Sequence, residues 1–170
     1  MVATTSQRGT TGKSSKTMEL WHSSCIDAES ITVEDREDNG YYLFSGLFCL
    51  NMEDAGRGDY LYKIEIPENE ILDSFLNIDD ELVINAVEHV SGINRDDDEF
   101  DTMYNALVFE DYDLDIAVKL TEIDDPSYAG WEMQNMRGRL AQSLGYRAVS
   151  MKDEYGTSYL VLPGNTLTRI

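Results

Sequence analysis

Cysteine, proline, histidine and basic residues are all scarce in this 170-residue chain, and each scarcity excludes something. Cys25 and Cys49 lack the spacing of a zinc or redox motif and read as small buried side chains; a disulfide between them is not expected in a reducing compartment. His22 and His89 are too few to complete a zinc site with such distant cysteines. No run of about 18 apolar residues exists, so the sequence offers no membrane span. Nor does a secretory-type apolar stretch open it, and a cytoplasmic location is expected. Gly56-Arg57-Gly58 comes nearest to a dinucleotide fingerprint. It continues as Asp59-Tyr60-Leu61, without the third glycine or a strand–turn–helix setting, which argues against a Rossmann dehydrogenase. The P-loop, GxSxG and HExxH patterns are also missing.

Thirteen basic residues face 33 acidic ones, for a net charge of −20. Residues 1–17 carry Arg8, Lys13 and Lys16 and no acid, so the other 153 residues carry −23. Glu68–Asp125 holds 19 of the acids with only Arg95 and Lys119 against them. Such a surface repels nucleic acid at long range and favours encounter with basic proteins. No direct nucleic-acid contact is therefore expected, and a monomer or weak dimer is the expected state.

What is present is enough apolar material for a real core: 42% hydrophobic residues and ten tyrosines. Residues 1–17, rich in Ser, Thr and Gly, are expected to form a disordered tail, and 18–170 one domain. A buried strand is expected from Met18. Tyr41–Phe44, Leu47–Leu50 and Tyr60–Ile66 read as further strands, with Asn51–Asp59 a loop or short helix. Leu82, Val83, Ala86, Val87 and Val90 share one helical face, with Asn77 as cap and Gly92 as stop. Phe100, Met103, Tyr104, Leu107 and Val108 share another, and the Asp96–Glu99 run sits at that helix's dipole-positive end. Tyr112–Leu120 alternates and predicts a strand. Asp125-Pro126 opens a third helix that buries Met133, Met136, Leu140 and Leu144 and stops at Gly145. Tyr146–Met151, Tyr159–Leu162 and Leu167–Ile170 close the chain as strands, the first two joined by a tight turn at Glu154–Gly156. Strands at both ends with helices between them predict an α+β domain, with 68–125 as an acidic helical insertion.

Three motifs carry chemistry. Trp21-His22-Ser23-Ser24 offers an imidazole able to hydrogen-bond a sugar hydroxyl. Tyr41-Tyr42-Leu43-Phe44-Ser45-Gly46-Leu47-Phe48 offers rings for a flat heterocycle. Trp131-Glu132-x-Gln134 leads to Leu144-Gly145-Tyr146-Arg147-Ala148-Val149-Ser150-Met151-Lys152-Asp153-Glu154, Gly156-Thr157 and Tyr159, which places carboxylates in a late hairpin. In this order the motifs resemble the ADP-ribosyltransferase superfamily, its diphtheria-toxin-like class with His, aromatic and acid. They look closest to the phage anti-CRISPR ADP-ribosyltransferases acting on type I CRISPR surveillance complexes.

The resemblance runs from Met18 to Ile170 and is densest over Trp131–Tyr159. It implies a split β-sheet core with helices inserted between the first and last strands, and NAD as co-substrate. In the family the His holds the NAD ribose and the next residue's backbone holds the nicotinamide amide, roles that fall to His22 and Ser23. Aromatic rings stack on nicotinamide, which points to Tyr42, Phe44 and Phe48. Most of the superfamily carries its catalytic Glu where this chain has Ser158, so the acid moves to Asp153, with Glu154 second. Arg147 is the expected pyrophosphate partner, with Arg57, Arg137 and Arg139 as alternatives, because guanidinium suits bidentate phosphate contacts. The implied function is mono-ADP-ribosylation of a DNA-binding, PAM-reading subunit of a type I surveillance complex, which blocks target DNA recognition in the infected cell. The alternative is a non-enzymatic acidic decoy occupying a nucleic-acid groove.

Overall fold

The computed structural model describes residues 16–24, 27, 33–36, 41–44, 47–153 and 156–170. The strands are β1 (Thr17–Ser24), β2 (Val33–Arg36), β3 (Tyr41–Phe44), β4 (Leu47–Phe48), β5 (Tyr60–Pro67), β6 (Ile71–Leu72), β7 (Ala148–Asp153), β8 (Gly156–Val161) and β9 (Thr168–Arg169). The helices are α1 (Asp80–Ser91), α2 (Phe100–Phe109), α3 (Leu114–Thr121) and α4 (Pro126–Ser143), with short 3-10 turns at Met52–Asp54, Glu68–Glu70 and Phe75–Asn77. This is an α+β fold. One sheet runs β1-β5-β9, another β4-β8-β7-β6, and β2-β3 is a separate hairpin whose second strand lies against α4. Within the four-stranded sheet only β6 and β7 are parallel.

Alternation along β8 shows how the layers stack. Tyr159 and Val161 join Leu20, Phe48, Ile64 and Ile66 in a core between the two sheets. Leu160 and Leu162 face the other way, into a larger core with Val87, Met103, Leu107, Met133 and Leu140 of the helices. The four-stranded sheet is therefore buried on both faces, which explains the near-continuous apolar run Tyr159–Leu162. Each fully buried Leu or Phe contributes about 1.5–3 kcal/mol relative to exposure.

The helices form where the capping chemistry places them. Asp125 accepts hydrogen bonds from Ser127 N and Tyr128 N, and α4 follows with Pro126 in its first turn. Asp79, not Asn77, caps α1, accepting from Leu82 N at 3.3 Å. Leu82, expected on the buried face, is 56% exposed, because burial centres on Val83, Ala86 and Val87. Tyr112–Leu120 is corrected more deeply, from strand to helix. Asp113 accepts from Ile116 N at 2.9 Å and starts α3, which buries Ala117 against α4. A local cap and a helical neighbour outweigh an alternating pattern this short. The segment 68–125 is built into the core, since Val83, Val87, Phe100, Met103 and Ala117 all belong to the larger cluster.

Helix α4 lies close on β8 at Gly138, where an added Cβ would stand 2.8 Å from Leu160 Cδ2 and 3.2 Å from Leu162 Cδ2. Gly138→Val is expected to cost about 1–3 kcal/mol in urea denaturation, as overpacking of a filled core does.

Candidate functional site

Strand β1 belongs to the three-stranded sheet and is bridged to the segment that follows β4 in the other. On one side it pairs with β5, setting His22 opposite Tyr62 and Ser23 opposite Leu61. On the other, Trp21 exchanges both backbone hydrogen bonds with Cys49, each at 2.8 Å. Beyond that bridge the link to β4 changes character. The His22 side chain, through Nδ1, meets the Leu47 carbonyl at 2.9 Å, and Ser23 N donates to Ala55 O at 3.1 Å. Backbone pairing between β1 and the β4 segment thus stops short of His22.

A carbonyl only accepts, so His22 Nδ1 carries the hydrogen, and the neutral ring keeps an acceptor lone pair on Nε2. Burial lowers the His22 pKa below its ordinary 6.5; the Leu47 bond acts the other way and is the smaller effect. Phe48, 1% exposed, supports the imidazole at 5.0 Å between centroids and a 33° tilt. The result is a neutral, oriented acceptor suited to a sugar hydroxyl. Its partners across the sheets form one row: Tyr159, Phe48, His22, Tyr62 and Arg169. Tyr62 OH donates to Asp27 Oδ1 at 3.1 Å, and Arg169 Nη1 reaches Asp27 Oδ2 at 2.9 Å. No local sequence signal announces this Tyr62–Asp27–Arg169 link, whose members are far apart in the chain.

The loop 51–59 closes over the end of β1. Ala55 is buried and accepts the Ser23 amide hydrogen. Gly58 passes so near Ser24 that a Cβ would lie 2.5 Å from the Ser24 carbonyl carbon. The Gly56-Arg57-Gly58 segment is therefore a close-approach element beside the His22 motif, and Arg57 is exposed on it.

The acid hairpin is reached by register. Phe48 pairs with Tyr159, Tyr159 with Ser150, and Asp153 with Gly156. Asp153 thus lies three residues further along β7 than the row containing His22, about 10 Å along the strand. Its backbone is the described part, as for Tyr42 and Phe44 of β3; Glu154 lies outside the described residues. Gly156, at φ +132°, occupies a conformation that L side chains rarely adopt and turns the chain back into β8. Ser158 is buried opposite Met151.

Several expected contacts are placed elsewhere. Phe48 has its ring faces covered by protein, so it supports His22 and offers no stacking surface. The Ser23 amide is taken by Ala55, so a ligand amide would have to use the Ser23 carbonyl or displace Ala55. Arg147 bonds Glu70 Oε2 at 2.9 Å and Asn165 Oδ1 at 2.8 Å, tying the start of β7 to the segments around Glu70 and Asn165. Arg139 pairs with Glu132. Arg137 is buried against Glu110 and the carbonyls of Leu107, Val108 and Ser150. His89 is an exposed residue of α1, and Cys49 Sγ donates to Asp54 O at 3.4 Å, while Cys25 lies outside the described residues. No described helix is long and apolar enough to cross a membrane.

Three comparisons bear on this geometry. The family model "Anti-CRISPR Type I-F ADP-ribosyltransferase AcrIF11" matches residues 18–169. A solved structure described as the crystal structure of an anti-CRISPR protein is 29% identical with a TM-score of 0.59, covering 92% of this chain and 97% of that one. No curated protein matches.

Two measurements test the site. Because the folded His22 pKa is below the unfolded value, its contribution to stability is complete above about pH 6.5 and is lost as pH falls through the folded pKa. NMR titration is expected to show His22 protonating below 6.5. A chemically measured stability difference between wild type and His22→Gln should shrink over the same acid range. Gly58→Ala is expected to dislodge the loop from Ser24, costing about 1–3 kcal/mol and raising KM for the dinucleotide substrate.

Proposed function

Because this chain belongs to the anti-CRISPR type I-F ADP-ribosyltransferase family, we propose that it transfers ADP-ribose from NAD to a DNA-binding, PAM-reading subunit of a type I CRISPR surveillance complex. His22 carries this reading. It is a neutral imidazole held by Leu47 and Phe48 where backbone pairing between β1 and the β4 segment stops, with Nε2 as acceptor for a ribose hydroxyl.

The chemistry follows from the bond to be broken. The ribose C1′–nicotinamide nitrogen bond cleaves with its electron pair leaving on nicotinamide, so positive charge develops on the ribose. A fixed carboxylate near C1′ stabilises that charge more than it stabilises the ground state. Asp153 has this role, with Glu154 as second choice. The acceptor side chain then attacks C1′ and gives up its proton, which the same carboxylate can take. His22 fixes the ribose so that the reacting carbon faces the acid. Tyr42 and Phe44 on β3 supply the stacking surface for the nicotinamide ring, worth about 0.5–2 kcal/mol while the ring is cationic. Arg57, exposed beside the His22 motif, is favoured over the ion-paired Arg147 for the pyrophosphate.

The acidic segment steers docking onto a basic, DNA-binding acceptor. An attached ADP-ribose adds bulk and about two negative charges where DNA phosphates would sit. Incubation of the type I-F surveillance complex with catalytic amounts of the protein and NAD is expected to add one ADP-ribose mass to a single subunit and abolish DNA binding. His22→Ala and Asp153→Asn should each lower that transfer by roughly 100-fold or more while the fold persists. Inhibition at one-to-one stoichiometry without NAD would instead establish the acidic decoy.

A further inference from the structure

In an antiparallel ladder, alternate residues turn both backbone groups away from a given partner strand. Along β7 the edge away from β8 is covered by β6 at Ala148 and Val149 alone. The residues that follow lead directly to Asp153. Two side chains serve that bare edge. Arg137, from α4, donates to Ser150 O through Nη2 at 3.2 Å. Glu110, just past α2, accepts from Lys152 N through Oε2 at 2.7 Å. The two are joined to each other, Arg137 Nε to Glu110 Oε1 at 2.8 Å, with side chains only 7% and 9% exposed. Arg137 also lies over the Phe75 ring at 5.0 Å and holds the Leu107 and Val108 carbonyls near the end of α2. Glu110 sits at φ +54°, an unfavourable backbone for a residue other than Gly, Asn or Asp.

We propose that Glu110 and Arg137 are positioning residues for catalysis: this buried pair takes the place of a missing β-strand along Ser150–Lys152 and fixes the backbone position from which Asp153 acts. The proposal rests on Asp153 as the catalytic acid. The pair meets the chain at Lys152 N, one residue before the acid, and the left-handed C-cap that ends α2 puts Glu110 where its carboxylate reaches that amide. A carboxylate that must stabilise charge at one ribose carbon tolerates displacement of about 1 Å poorly, so anchoring the residue before it matters for turnover.

The test compares Glu110→Gln, which keeps shape and an acceptor but removes the charge, with Glu110→Gly, which relieves the φ +54° backbone while removing the clamp. Transfer from NAD to the type I-F surveillance complex is read as kcat and KM, and amide hydrogen exchange is read at Lys152 and Asp153 in the free protein. Both variants are expected to lose roughly 10–100-fold in kcat with KM for NAD nearly unchanged, and to exchange faster at Lys152 while helix amides stay protected. In an Asp153→Asn background, Glu110→Gln should lower the residual rate no further, because both substitutions act through one group. Full kcat in both Glu110 variants overturns the proposal, as does a loss that is additive with Asp153→Asn. Full kcat in Asp153→Asn alone has a different meaning: it removes the acid assignment on which the proposal rests.

Discussion

A strand has two hydrogen-bonding edges, and β1 commits both within three residues. Trp21 turns its backbone to Cys49, and its neighbours pair along β5. That double commitment joins the sheets at one point. It also explains why His22 meets a carbonyl through its ring, for at that rung the side chain takes over where backbone pairing with β4 ends. The neutral imidazole then follows from its surroundings, because burial makes charge costly and outweighs the acceptor carbonyl on Nδ1, which favours the charged form. The contacts that hold this histidine in the fold also leave its Nε2 as an acceptor.

The β7–β8 hairpin is built differently. Asp153 sits at its turn end, paired with Gly156. Before it, Ser150 O and Lys152 N are met by side chains from outside the sheet, those of Arg137 and Glu110. Arg137 and Glu110 are expensive to bury, and their burial is compensated only because every strong donor direction finds a carbonyl or carboxylate. Burial lowers the Arg137 pKa, with Glu110 opposing that effect as the largest counter-influence. The guanidinium once considered for pyrophosphate thus holds the chain in place, and a phosphate could reach it only by dismantling the hairpin's support.

What was legible in the sequence was the part encoded by local rules. The Asp125-Pro126 start of α4, the stop at Gly145, the aromatic strands and the β7–β8 hairpin each rest on two or three neighbouring residues, and the structure places them within a few positions. The α+β class followed from strands at both ends with helices between them, and the family from the order of the His22 motif, the aromatic strand and the Asp153 hairpin. Long-range facts were not legible. Nothing near Tyr62 announces Asp27 or Arg169, and nothing near Glu110 announces Lys152, 42 residues away. Phe48 was read as a stacking ring because aromatic composition does not say which face is covered. The Tyr112–Leu120 alternation misled because a period of two over so few residues can coexist with a helix whose other face is solvated.

Charge sets a final constraint, since an enzyme this acidic must still attract an anionic dinucleotide. Glu68–Asp125 holds nineteen acids against two bases, whereas residues 126–170 hold five bases against three acids, a net +2. The last segment supplies α4 and the β7–β8 hairpin, and two of its bases, Arg137 and Arg147, pair with Glu110 and Glu70 of the acidic segment. At a Debye length of about 8 Å, the helices' carboxylates act on a docking protein across a broad face. They act more weakly on a charge more than one screening length away. The helix core and the inter-sheet core lie on opposite faces of the four-stranded sheet, and Phe48, the support of His22, belongs to the second, so the acidic helices and that support stand on different sides of one sheet.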